Sequence, residues 1–187
     1  AMGTLLHQRG FSFDECFDNL NIINPAIVAE IHREYIEAGA EMIYTNTFGA
    51  NRYKLARHGL ENQVQNINQA GVDLAMRVVL ASFKEVFIAG DIGPLGVRLE
   101  PFGRVSLADA RKAFTEQIQA LVTAGIDVLV IETITDLYEI KEAIFAAKEI
   151  KPELPVIASM TFTRDDRTLL GDSPAKVARQ IHDAGAE

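Results

Sequence analysis

Asp127-Val128-Leu129-Val130-Ile131-Glu132-Thr133 decides the fold. A short apolar run without alternation suits a strand buried on both faces, as a parallel sheet requires. A carboxylate, Glu132, then stands at the carboxyl end of that strand. Ligands of α/β folds bind at the carboxyl ends of parallel strands. Charged side chains are seldom buried without a partner, so an acid in this place points to a site. The plainer alternative is a surface acid that happens to end a strand.

The same grammar recurs on both sides of this stretch. Residues 41–45 read as a strand running into Asn46-Thr47-Phe48-Gly49, residues 86–91 as a strand running into Ile92-Gly93-Pro94, and residues 155–161 as a further strand. Helical spacing of apolar residues predicts helices from Asn24-Pro25 to about Ala38, from Glu61 to Ser82, from Ser106 to Gly125, from Asp136 through Ala147, and from Ser173-Pro174 to Ala184. Residues 1–24 read as loop with at most one short helical turn, and residues 50–60, 97–105 and 162–172 as polar loops.

A repeat punctuates the chain. Glu37-Ala38-Gly39-Ala40-Glu41, Thr123-Ala124-Gly125-Ile126-Asp127 and Asp183-Ala184-Gly185-Ala186-Glu187 share one pattern. In the first two, Gly ends a helix in the left-handed conformation and the acid opens a strand. The third has no strand behind it in this sequence. Strand and helix alternate without hairpins, which means a parallel sheet. No Gly-x-Gly-x-x-Gly follows the first strand, against a dinucleotide-binding sheet. A whole (β/α)8 barrel needs about 250 residues. The expectation is therefore an α/β fold, a partial (β/α)8 TIM barrel with four clear strands.

Composition narrows the function. The 187 residues are 48% hydrophobic and 24% charged, as in a globular domain. The net charge of -8 argues against nucleic acid and against an anionic membrane surface as partners. No apolar run approaches the roughly 20 residues of a membrane span, and no signal peptide is visible. One cysteine, Cys16, cannot form an internal disulfide, so a reducing cytoplasm is the expected setting.

Polar residues collect at the strand ends: Thr45-Asn46-Thr47, Asp91, Glu132-Thr133, and Ser159 with Thr161. In a barrel these share one mouth, and unpaired inward polar groups are costly unless a ligand answers them. The plain reading of Asn46 or Asp91 alone is a loop cap. His7, His32, His58 and His182 show no metal-ligand grouping and read as surface or helix-face side chains. Arg52, Lys54, Arg57 and His58 form a small basic cluster, read as a solvated face or a contact for an anionic co-substrate.

Four motifs in order resemble one family. Ala1-Met2-Gly3-Thr4-Leu5-Leu6, Glu41-Met42-Ile43-Tyr44-Thr45-Asn46-Thr47-Phe48-Gly49-Ala50-Asn51, Ala89-Gly90-Asp91-Ile92-Gly93-Pro94 and Leu129-Val130-Ile131-Glu132-Thr133 look like the homocysteine S-methyltransferase family. That family includes the homocysteine-binding domains of cobalamin-dependent methionine synthase and of a bacterial fusion with methylenetetrahydrofolate reductase. The resemblance covers the whole chain, as about the first five to six βα units, truncated before strand 6; members carry an Asp-Gly before the Ala-Met-Gly-Thr.

The resemblance implies methyl transfer to the thiol of homocysteine, forming methionine. It implies a zinc ion that lowers the thiol pKa. By motif match, Glu132 would bind the substrate amine, and the backbone at Met2, Gly3 and Thr4 would lie near its carboxylate. Asn46, Thr47 and Asp91 would line the same mouth. The family's zinc ligands are three cysteines beyond the sixth and eighth strands; Cys16 matches none of them. Residues 1–187 are thus expected to be the N-terminal portion of the domain, inactive alone, with the metal and a methyl donor or corrinoid/folate domain supplied from outside. Two exposed sheet edges would favour self-association. Two other readings stay open: a non-catalytic half-barrel assembly module, and an unrelated barrel enzyme using Glu132 and Asp91. The methyl donor is not readable.

Overall fold

The structure, a computed structural model, describes residues 2–187; Ala1, which opens the N-terminal motif, lies outside the described residues. Four strands form one sheet: β1 (Met42–Tyr44), β2 (Phe87–Ile92), β3 (Val128–Ile134) and β4 (Val156–Met160). Their order is β1-β2-β3-β4 and every pairing is parallel. Sequential order with a helical crossover between neighbours is barrel order, and it excludes a doubly wound sheet, whose order reverses.

The strands follow from their burial. Val128, Leu129, Val130 and Ile131 are all buried, so β3 is covered on both faces, as its unbroken apolar run predicts. One face, through Ile43, Ile88, Leu129, Ile131 and Val156, packs on α5 (Val64–Ser82), α6 (Leu107–Ala124) and α7 (Leu137–Ile150). Phe114 of α6 is the largest fully buried side chain in that layer. The other face carries a smaller cluster, Ala89, Val128 and Val130 with Met42 against it. Strand β4 alternates between buried and open, and Ile157 is exposed on this second face.

The crossovers start and stop where their caps dictate. Ser106 accepts a bond from the Asp109 N–H, Asp136 from Tyr138 and Glu139, and Ser173 from Lys176. Gly39 (φ 100°), Gly125 (φ 99°) and Gly185 (φ 110°) hold the left-handed position of the repeat. After the third glycine, the Glu187 N–H donates to the Val156 carbonyl at 2.9 Å. Phe87 makes the same bond to Glu41 where β2 joins β1.

Three readings of the sequence are corrected. Residues 2–23, read as loop, hold α1 (Met2–Gln8), a 3-10 turn at Phe17–Asn19 and α2 (Leu20–Ile23). Leu6 and Leu20 are buried beside Val28 and Ile31 of α3 (Pro25–Glu37), so tertiary packing stabilises segments too short to show periodicity. Residues 50–60, also read as loop, contain α4 (Arg52–Ala56), because the Asn51 side chain accepts bonds from the Tyr53 and Lys54 N–H groups. Asn24 precedes α3 as expected, but its side chain makes no capping bond, and Pro25 alone fixes the start.

Gly39→Ala isolates the backbone contribution of the repeat, since nothing among the described residues lies within 4 Å of the added Cβ. Urea denaturation is expected to show a loss of about 1 kcal/mol, from forcing a side chain into the left-handed region.

Candidate active site

The parallel register brings the strand ends to one rim. Asp91 pairs with Val130, and Ala89 with Val128, so Asp91 shares a face with these two. Glu132 lies two residues beyond Val130. The β3–β4 register shifts between Ile131 and Ile134, a bulge at Glu132-Thr133. Thr133 there has φ 62°, a left-handed conformation that a β-branched side chain adopts only under strain. Bulges that re-aim a side chain gather beside active sites. Strand β3 therefore does not stop at the acid, as the sequence suggested; it kinks there.

A cleft of about 790 Å³ opens over this rim. Met2, Gly3, Thr4, Asn46, Thr47, Asp91 and Glu132 all line it, so residues spread over 131 positions of sequence meet at one place. Their exposure and bonding differ, and this sorts them by what they can do.

Thr47 is fully buried, and its hydroxyl donates to the Asp91 carbonyl at 2.8 Å. The Thr45 hydroxyl lies 2.6 Å from that of Thr47 and accepts the Asp91 N–H at 3.1 Å. Since Thr47 gives its one proton to the carbonyl, Thr45 is the donor between the two hydroxyls. The backbone of Asp91 is thereby clamped at both its N–H and its C=O. Asn46 donates to the Phe17 carbonyl at 2.7 Å and to Asn21 Oδ1 at 3.0 Å, while Asn21 donates back to the Asn46 carbonyl at 2.8 Å. Gln117 of α6 donates to the Thr47 carbonyl at 2.8 Å. Asn46 and Thr47 thus brace the loop after β1, with their hydrogen-bond donors already used inside the protein.

Asp91 differs from both. It is 7% exposed, and its Oδ1 has no hydrogen-bond partner among the described residues. Burial, then the neighbouring Glu132 and Asp18 carboxylates, push its carboxyl up to about 8. Glu132 is half-buried. Tyr44 on β1 faces the same acids, and burial with the charges of Glu132 and Asp91 pushes its hydroxyl up. Met2, Gly3 and Thr4 form the first turn of α1, where backbone N–H groups have no acceptor four residues back.

Residues outside the four motifs, Asp18 among them, complete the cleft. Asp18 accepts the Gly49 N–H at 2.8 Å, and burial pushes its carboxyl up. Lys54 Nζ lies 4.2 Å from the centre of the Phe48 ring, and burial lowers its ammonium pKa. Lys54, Arg57 and His58 reach the cleft, whereas Arg52 turns away to a two-pronged pair with Glu116 at 2.7 and 2.9 Å. The basic cluster is therefore split, not one solvated face. His32 is 1% exposed, its Nε2 has no hydrogen-bond partner among the described residues, and burial lowers its pKa to about 4. The sequence alone places it on the surface or on a helix face, and the structure puts it inside. Its spacing of four residues from both Val28 and Ile36 was the signal that it lies on the buried face of α3.

Among the described residues, no group of three or more His, Cys, Asp or Glu side chains is arranged to hold a metal ion. Cys16 is half-buried in the cleft wall, and burial with the charge of Asp18 pushes its thiol up, against a thiolate ligand. These residues do not fit a thiolate-held zinc. No helix among them is long and apolar enough to cross a membrane.

Known proteins resemble this chain in sequence and in fold. Methionine synthase of Mycobacterium tuberculosis (strain ATCC 25618 / H37Rv) is 30% identical over 200 residues, spanning all of this chain and 17% of that protein. Methionine synthase of Mycobacterium leprae (strain TN) is 28% identical, spanning all of this chain and 16% of that protein. The chain thus covers about a sixth of the length of these curated relatives. The homocysteine methyltransferase MmuM from Escherichia coli superposes in its oxidized form with a TM-score of 0.84 at 24% identity, over 97% of this chain and 67% of that one. Its metallated form gives 0.83 at 25% identity, over 99% and 69%. The model of the family "Homocysteine S-methyltransferase" matches residues 1–186. The chain belongs to the homocysteine S-methyltransferase family.

Proposed function

We propose that this chain supplies the amino-acid-binding half of a methyltransferase that moves a methyl group to the thiol of homocysteine. The observation that carries the reading is the kink at Glu132-Thr133. It sets a half-buried carboxylate at the rim of the cleft, at the cost of backbone strain. A carboxylate there suits a substrate ammonium, since charge-assisted hydrogen bonds are the strong ones.

The first turn of α1, at Met2, Gly3 and Thr4, lines the same cleft and suits the substrate carboxylate. Asn46 and Thr47 hold the loop that frames the site. The residues of this chain therefore bind and orient; they do not themselves activate the sulfur. The metal that would do so, like the methyl donor, is brought by parts of the protein outside residues 1–187. The chain is accordingly the N-terminal portion of a (β/α)8 domain and is inactive by itself. That the chain covers 69% of the metallated MmuM chain supports this reading.

Two substitutions test it, the first by calorimetric titration of L-homocysteine into the full-length protein and the second by urea denaturation. Glu132→Gln keeps the shape and removes the charge; the Kd is expected to rise about 10- to 100-fold, matching a lost charged hydrogen bond. An unchanged Kd would refute the assigned role. Thr47→Val keeps the shape and removes the hydroxyl that clamps Asp91. It is expected to cost about 1–3 kcal/mol in urea denaturation, since the Asp91 carbonyl and the Thr45 hydroxyl lose a buried partner.

A further inference from the structure

We infer that the cleft carries a second, cationic subsite, built on Lys54 with Arg57 and His58, that takes a carboxylate or phosphate group of the second reactant while the amino acid is bound. The inference rests on the reading of this chain as the homocysteine-binding half of a methyltransferase and goes beyond it.

The cations are set in place by the fold. Asn51 starts α4 by accepting the Lys54 N–H at 3.0 Å. Arg57 and His58 follow Lys54 by three and four residues, the spacing that puts side chains on one helical face, and all three line the cleft. The Lys54 side chain is held from two sides. Its Nζ lies 4.2 Å from the centre of the Phe48 ring, and its Cγ lies 3.2 Å from where a Cβ at Gly96 would stand. Phe48 is itself fixed, since it packs so closely on Gly93 that a Cβ there would overlap the ring. Arg57 Nη2 donates to the Gly96 carbonyl at 2.5 Å. The loops after β1 and β2 thus hold Lys54 and Arg57 at one wall of the cleft.

Held this way, the half-buried Lys54 ammonium has no acceptor: among the described residues it forms no hydrogen bond and no ion pair. Asp18, Glu139 and Asp91 act on it only at a distance, and Asp18 and Glu139 already accept the Gly49 and Leu95 N–H groups. The Phe48 ring offsets part of the lost hydration. Burial still lowers the ammonium pKa, so the bare cation is disfavoured. An oxyanion supplies the missing acceptor, and its bonds to an ammonium and a guanidinium are of the strong, charge-assisted kind. The amino acid does not need this wall. Its ammonium is assigned to Glu132 and its carboxylate to the first turn of α1, which leaves the cations to the other reactant, the methyl donor.

The test is calorimetric titration of inorganic phosphate, and separately of acetate, into the full-length protein saturated with L-homocysteine. One of the two anions is expected to bind, and the tighter of them names the group. Lys54→Met keeps the stem and removes the charge; the anion Kd is expected to rise about 10- to 100-fold, while L-homocysteine binds as in wild type. Lys54→Arg keeps the charge and is expected to retain the anion, which separates lost charge from a damaged fold. Neither anion binding, or equal anion affinity in wild type and Lys54→Met, overturns the inference and leaves the role of Glu132 standing. Weaker binding of L-homocysteine to Lys54→Met, restored in Lys54→Arg, assigns the cation to the substrate's own carboxylate and also overturns it. Failure of wild type to bind L-homocysteine overturns the reading beneath.

Discussion

The parallel register of four strands is the constraint on which the site depends. Parallel pairing sends every carboxyl end to the same rim, and in-order crossovers cover only one face with helices. The second face is left to meet whatever the rim binds. Because side chains alternate along a strand, the register that pairs Asp91 with Val130 also decides that Asp91 points away from the helices. A slip by one residue would turn Asp91 into the helix-packed layer and Ile92 toward the cleft. The clamp by Thr45 and Thr47 and the bond from Gln117 tie the loop after β1 to β2 and α6, fixing the rim at both sides.

Such a rim conflicts with stability, and the conflict has a definite pH direction. Asp91 is pushed up to about 8 and Glu139, whose Oε1 accepts the Leu95 N–H at 2.6 Å, to about 7, burial being the main cause in both. Each acid binds its proton more tightly folded than unfolded. The stability tied to that protonation is full below about pH 4, and it is lost as pH rises through 7 and 8. At neutral pH the fold therefore holds acids that it would keep better protonated. Thr133 in a left-handed conformation adds strain at the same rim. Local rules broken together at one place, in an otherwise consistent fold, mark a functional site.

Much of this was legible in the sequence. The run Val128 to Ile131 read as a doubly buried strand because it lacks alternation. Gly39, Gly125 and Gly185 read as helix ends because the left-handed cap favours glycine. The meeting of Met2–Thr4, Asn46, Thr47, Asp91 and Glu132 followed from the family resemblance and the barrel rule together. What was not legible depends on contacts distant in sequence. Helices α1 and α2 form against α3 and are too short to show a period. Lys54 lies over the Phe48 ring in the cleft beside Arg57 and His58, and Arg52 leaves them to pair with Glu116, 64 residues away. The bulge at Thr133 appears only once β4 is paired beside β3. The division of labour between Asn46 and Thr47, which brace, and Asp91, which is left unpartnered, needs the bonds themselves.

The central claim is that the end of β3 is an amine anchor. A crystal structure of the protein with L-homocysteine tests it most directly. The account predicts the substrate nitrogen at about 2.7–3.2 Å from a carboxylate oxygen of Glu132. A substrate whose nitrogen points elsewhere, with Glu132 turned to solvent, would contradict it.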